Sequence, residues 1–403
     1  MATHLPETSL TSRHNLACLF FFMGCCAANS IGGYGQAVFY IFSLVLIFLR
    51  GKVFYPKRIR VALFFLLFLL LLSNGWDNSA GVIRVIIESF IIANVLIYTF
   101  RVNKYKELLL LLKSLILFQA VFAIIMFCFP QIRESLLSYI YEGVAYQGEA
   151  FKNAIIYRGF GVSKHHLYGL PLAIALCVAL IITERYEKPT VKAFYFILGV
   201  LLISLNARVG LAVLLLALFW MLVTCSKNNI KHLFVLFFIT SISLFLFFGL
   251  FSFSDNATLD WLKEGVNQFS NSSNNQATTL SDLEGMIHIP TSSWDALFGR
   301  SYSCNAESDC YSDIGFVRLI NSGGLVSLCA IIFLYFYISC SLYDKSEWSY
   351  SVSRCMLVFF IFFVAMLKGE AYSASDYSRV FMVTCLVIMR IKKENASNVA
   401  SSG

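Results

Sequence analysis

Long apolar runs separated by short polar stretches repeat along almost the whole chain, and such runs suit helices that cross a hydrocarbon core of about 30 Å. The pattern predicts spans at 15–33, 37–49, 59–73, 81–100, 107–129, 166–183, 190–205, 208–224, 231–252, 314–340, 352–367 and 377–391. The expected fold is an all-α polytopic integral membrane protein of about 12 transmembrane helices. It divides into helices 1–5 (1–129), a polar loop (130–165), helices 6–9 (166–252), a large loop (253–313), helices 10–12 (314–391) and a tail (392–403). The first run begins near Leu16 without a small-residue cleavage site, so it reads as a retained span and not a signal peptide.

Composition supports this reading. The 403 residues are 58% hydrophobic and 13% charged, with mean hydropathy +0.73. Soluble domains carry about 25% charged residues. The net charge of +8 follows topology and does not point to nucleic acid. One set of alternate connections carries 19 basic residues, including Arg50, Lys52, Lys57, Arg58 and Arg60, and later Arg390, Lys392 and Lys393. The other set carries 9, although it holds far more loop residues. The positive-inside rule then puts both termini in the cytoplasm and the two large loops, 130–165 and 253–313, in the periplasm.

Ten of the twelve cysteines lie in or beside apolar runs, where cysteine acts as a small apolar residue. Cys304 and Cys310 sit in the second large loop, the one pair placed for a local disulfide in a periplasmic setting. Two cysteines without nearby histidine make a poor zinc site. No nucleotide fingerprint is present, and no motif calls for a metal or a cofactor.

Charges inside an apolar span are costly and need a partner or a purpose. Arg84 and Glu88, four apart on one helix face, read as a buried ion pair. On the outer side, four patches share a composition: RGFGVSKHHLYG (158–169), NARVG (206–210), SDIGFVRLINSGG (312–324) and KGEAYSASDYSR (368–379). Each has an ordinary reading alone: an interfacial arginine binds headgroups, and Asp313 caps a helix. Together, on the side expected to be poor in basic residues, they point to an anion site. Arg158, Arg208, Arg318, Lys368 and Arg379 would form an electropositive pocket for a diphosphate, which guanidinium groups bind bidentately.

The order of these patches resembles O-antigen polymerases of the Wzy type, inner-membrane proteins related to the O-antigen ligases. Arg158 and Gly169 match an Arg-x10-Gly pattern. NARVGL at 206–211, Ser312-Asp313-Ile314-Gly315 followed by Gly323 and Gly324, and Lys368 with Arg379 resemble recurrent positions. Arg300 does not repeat the pattern, because Tyr311 stands where the glycine would fall. The large loop has His288 in MIHIP without an adjacent asparagine, which favours polymerase over ligase.

The resemblance implies transfer of a growing undecaprenyl-diphosphate-linked glycan onto the next lipid-linked repeat unit, at the periplasmic face of the inner membrane. A chain-length regulator protein, a flippase and membrane lipids are the partners it implies. Arg158, Arg208, Arg318, Lys368 and Arg379, with Gly169, would hold the diphosphate, and Asp313, Glu370, His165 or His166 would serve as base. An O-antigen ligase, or a flippase or transporter of lipid-linked oligosaccharide, is the alternative. A transporter would place its charges near the midplane, on broken helices.

Overall fold

The computed structural model describes residues 7–72, 76–141, 158–207, 209–224, 238, 285–300, 312–343, 348–367, 369–373 and 375–402. These residues form helices and connecting turns, with no strand among them. We number the helices α1 (Glu7–Phe22), α2 (Gly32–Arg50), α3 (Lys57–Leu72), α4 (Trp76–Tyr98), α5 (Tyr105–Cys128), α6 (Pro130–Ile140) and α7 (Gly169–Ile182). They continue as α8 (Pro189–Ser204), α9 (Val209–Thr224), α10 (Ser293–Phe298), α11 (Gly315–Ser339), α12 (Trp348–Met366) and α13 (Asp376–Ser402).

Among the described residues, three segments are long and apolar enough to cross a membrane: Ala80–Tyr98, Tyr105–Cys128 and Gly315–Leu342. Shorter apolar helices at Tyr34–Arg50, Gly169–Ile182, Pro189–Ser204, Val209–Met221 and Val352–Met366 accompany them. This is a helical protein with the apolar helices of a membrane protein. Apart from residue 238, the expected span at 231–252 lies outside the described residues, as do most of the second large loop, Arg208, Lys368, Cys304 and Cys310.

The centre is α7. All fourteen of its residues are buried, as expected for a helix that is apolar all round. Around it pack α5, α8, α9 and α13, while α4 lies along α13. By contrast, α2 presents Tyr34, Val38, Phe42, Phe48 and Leu49 outward. In a bilayer such a face contacts lipid.

Two features were not expected from the pattern. The loop at 130–165 contains a helix of its own, α6, started by Pro130 at its first position, where the missing N–H costs nothing. In addition, α11 is interrupted at Gly324, which has φ 69° and ψ −178°. A Cβ on Gly324 would lie 2.2 Å from the carbonyl oxygen of Leu297. The backbone at the end of α10 therefore crosses α11 at a point that only glycine permits. Arg300 N–H donates to the Asn321 carbonyl (2.9 Å) and the Asn321 amide donates to the His288 carbonyl (2.6 Å). These bonds fix 285–300 against the helix.

Candidate functional site

The site is built on a stretch of chain that is not helical. Residues 158–168 enter between α5, α8 and α13, and most of them are buried. A buried backbone needs partners for its N–H and C=O groups, and two side-chain amides supply them. Gln119 of α5 accepts from Val162 N–H (2.8 Å) and donates to its carbonyl (3.1 Å). Asn206, at the end of α8, does the same for Phe160, with both bonds at 2.9 Å. Arg133 of α6 donates to the Arg158 carbonyl, and its guanidinium lies 4.7 Å from the centre of the Phe160 ring.

Gln119 lies nine residues before the end of α5, about 13 Å along the helix axis. The segment therefore dips into the bundle and does not run across its surface.

The dip places His165 and His166 in different surroundings. His166 is fully buried: its Nδ1 lies 2.9 Å from the Tyr141 hydroxyl and its Nε2 3.0 Å from the Gly161 carbonyl. The carbonyl can only accept, so Nε2 carries the proton and Nδ1 accepts from Tyr141. Burial holds the pKa of His166 down at about 4, and the same burial raises that of the Tyr141 hydroxyl. His166 is thus a neutral fixture of the loop, which removes it as a base for an incoming hydroxyl.

His165 keeps 23% of its side chain exposed. Its Nδ1 is 3.1 Å from Asp376 Oδ1, while Ser163 Oγ donates to Asp376 Oδ2 and accepts from His165 N–H at 2.7 Å. Asp376 itself is fully buried at the first position of α13. Ser375 just before it accepts from Ser378 N–H (3.3 Å), a capping contact. A buried carboxylate that accepts a hydrogen bond from Nδ1–H fixes one tautomer and leaves Nε2 as a proton acceptor.

Behind Asp376 lies a second set of charges. Arg379 Nη1 is 3.5 Å from Asp376 Oδ1, and Arg379 Nε donates to Glu88 Oε2 at 2.6 Å. Glu88 also accepts from Arg84 Nε (2.7 Å) and Gln36 Nε2 (2.9 Å). The Arg84–Glu88 pair expected from spacing is present, but Arg84 keeps 51% of its side chain exposed, so only the Glu88 side is buried; Arg379 joins it from another helix. With 1% of its side chain exposed, Arg379 is neutralised inside the bundle and does not stand open to a diphosphate. That corrects its assignment to an outward-facing cationic pocket.

The remaining site residues gather at the same end. Arg318 Nε lies 2.5 Å from Glu370 Oε1, and Ser373 Oγ donates to Glu370 Oε2 at 3.0 Å. Glu370 is therefore committed to an arginine, which argues against it as a base, and Arg318 is a paired cation. The Asp313 carbonyl accepts from Gly369 N–H at 2.6 Å. Asp313 does not cap α11, because Ile314 occupies that position and its N–H is taken by Ser312 Oγ at 3.1 Å.

Gly169 opens α7, where a Cβ would come within 2.6 Å of His165 Cβ and 3.3 Å of Ser375 Cβ. The missing Cβ lets the histidine loop approach α13. Arg158 and Lys164 are part-exposed on the loop.

Segments from all four sequence patches thus meet at one end of the bundle: 158–169 with 375–376, 313 with 369, 318 with 370, and 160 with 206. Asp376 and Ser163 lie within two of the sequence patches, but sequence reasoning gave neither a role. No group of three or more histidine, cysteine or acidic residues suited to a metal occurs among the described residues. No protein-family model matches the chain, and comparison with curated proteins finds no match.

Proposed function

We propose that this chain is a membrane glycosyltransferase that polymerises lipid-linked glycan. It would have about 12 spans, both termini in the cytoplasm and its site at the periplasmic face of a bacterial inner membrane. The observation that carries the reading is the Asp376–His165 pair, on a largely buried loop that also carries Arg158 and Lys164. In the reaction, His165 Nε2 takes the proton from the acceptor hydroxyl of the incoming repeat unit. The hydroxyl oxygen bonds the anomeric carbon of the growing glycan, and the bond from that carbon to the diphosphate oxygen breaks. The undecaprenyl diphosphate leaves with the electron pair, stabilised by Arg158, Lys164 and the two cations outside the described residues, Arg208 and Lys368. A general base in such a step contributes about 10²–10⁴-fold.

A specific observation favours one other class. The Glu88–Arg379 pair inside the bundle and the interruption of α11 at Gly324 are features that transporters use. A flippase for lipid-linked oligosaccharide is therefore the second reading.

The test is lipopolysaccharide banding in a strain lacking the gene, complemented with wild type, His165→Gln, Arg158→Ala or Arg208→Ala at equal membrane levels. Core bearing one repeat unit, without a ladder, supports the polymerase. Loss of all substituted core points to the flippase or to a ligase. A normal ladder from all three variants removes the site.

A further inference from the structure

The opposite end of α13 holds a different arrangement of charge. Lys393 follows Asp376 by 17 residues on the same helix, about 25 Å away at 1.5 Å per residue. There the 54–60 stretch, Ser341 and Tyr343 after α11, and the last part of α13 enclose a cavity of about 450 Å³. Lys57, Arg60, Lys392 and Lys393 line it, with no carboxylate among the described lining residues.

The walls are held in place. Phe54 N–H donates to Asn94 Oδ1 at 2.6 Å, and Lys392 Nζ donates to the carbonyls of Ser341 (2.7 Å) and Tyr343 (2.6 Å). Aromatic rings sit under two of the cations: Arg60 lies 5.5 Å from the centre of Tyr55, and Lys393 5.9 Å from that of Phe54. Lys57, Arg60 and Lys393 bring like charges to one cavity, and an anion between them relieves their repulsion.

An apolar track leads away from the cavity. Phe64 and Phe68 follow Arg60 by four and eight residues, hence on one face of α3, and both are exposed along with Val61. A soluble phosphate has no use for this surface, whereas an acyl chain does. Basic pockets between helix ends recognise acidic lipid headgroups on the same principle.

We propose that this cavity binds the phosphate headgroup of an anionic phospholipid, with its acyl chains along α3. Lys57, Arg60 and Lys393 contact the phosphate, and Lys392 holds the wall. The proposal is independent of the chemistry at His165.

Native mass spectrometry of the full-length protein in detergent, titrated with phosphatidylglycerol, cardiolipin or phosphatidylcholine, tests it. The first two remain bound and phosphatidylcholine does not. Lys57→Gln/Lys393→Gln, which changes two exposed side chains, weakens retention about 30-fold. Arg13→Gln/Arg185→Gln, an equal charge change elsewhere, leaves retention intact. Arg60→Gln provides an independent variant and weakens retention as well. The proposal is overturned if the pocket variants retain lipid like wild type, or if the control pair loses it equally. It is also overturned if inorganic pyrophosphate binds lipid-free protein and displaces the lipid, since the site would then serve a free phosphate.

Discussion

His165 Nδ1 and Asp376 Oδ1 lie 3.1 Å apart, joined across 211 residues of sequence. Asp376→Asn keeps the volume but offers an amide where the imidazole needs an acceptor, so the wrong tautomer results. On the proposed function, polymerising activity of purified protein on a lipid-linked repeat unit falls about 10²–10⁴-fold. His165→Gln falls by a similar factor, and the double variant is no worse than the weaker single. Losses that simply add would show that the two residues do not act as a unit.

Asp376 Oδ1 is shared between His165 and Arg379, and Glu88 is the other anion facing Arg379. Removing one partner of a buried pair costs about 3–5 kcal/mol. Glu88→Gln therefore lowers the melting temperature in detergent. It also lowers activity, because Arg379 turns to Asp376 and displaces the imidazole. Glu88→Gln/Arg379→Met recovers part of the stability. Equal melting temperatures for wild type and Glu88→Gln would show that the pair contributes nothing.

His166 gives the protein an acid-sensitive component. Its folded pKa of about 4 lies below the ordinary 6.5, so the folded state binds the proton less well than the unfolded state. The stability this provides is complete above about pH 6.5 and is lost as pH falls towards 4, about 3 kcal/mol in all. His166→Gln has no such group. A plot of its melting temperature against pH is flatter over that window than the wild-type plot, and identical slopes would contradict the assignment.

Gln119→Leu leaves the N–H and C=O of Val162 buried without partners, at about 1–3 kcal/mol for each group. Gly161→Ala strains the same turn, since φ is +104° and a Cβ would sit 2.5 Å from Gln119 Oε1. Each displaces the loop that carries His165, so activity falls more than membrane level does. Immunoblot and ladder length, read together, check this.

Much of the helix layout was legible because an apolar period needs no knowledge of neighbours. Eleven of the twelve expected spans coincide with described helices, and the twelfth, 231–252, lies outside them. The Arg84–Glu88 pair was legible for the same reason, being four residues apart. The dip of 158–168 was not. Its partners, Gln119 and Asn206, are dozens of residues away, and their only signal is a lone amide in LILFQAVFAII and another in LLISLNARVG. Arg379 was misplaced because depth along a helix says nothing about which neighbouring helix carries the counter-charge. Asp376 is one of two acids in its patch, and only the fold brings it to His165.

The crossing of Leu297 and Phe298 over Gly324 pins the described stretch 285–300 to the middle of α11. An insertion between 297 and 300 must open the crossing and release α11 with it. For epitope tags, fluorophores or protease sites, this short segment is a destructive address.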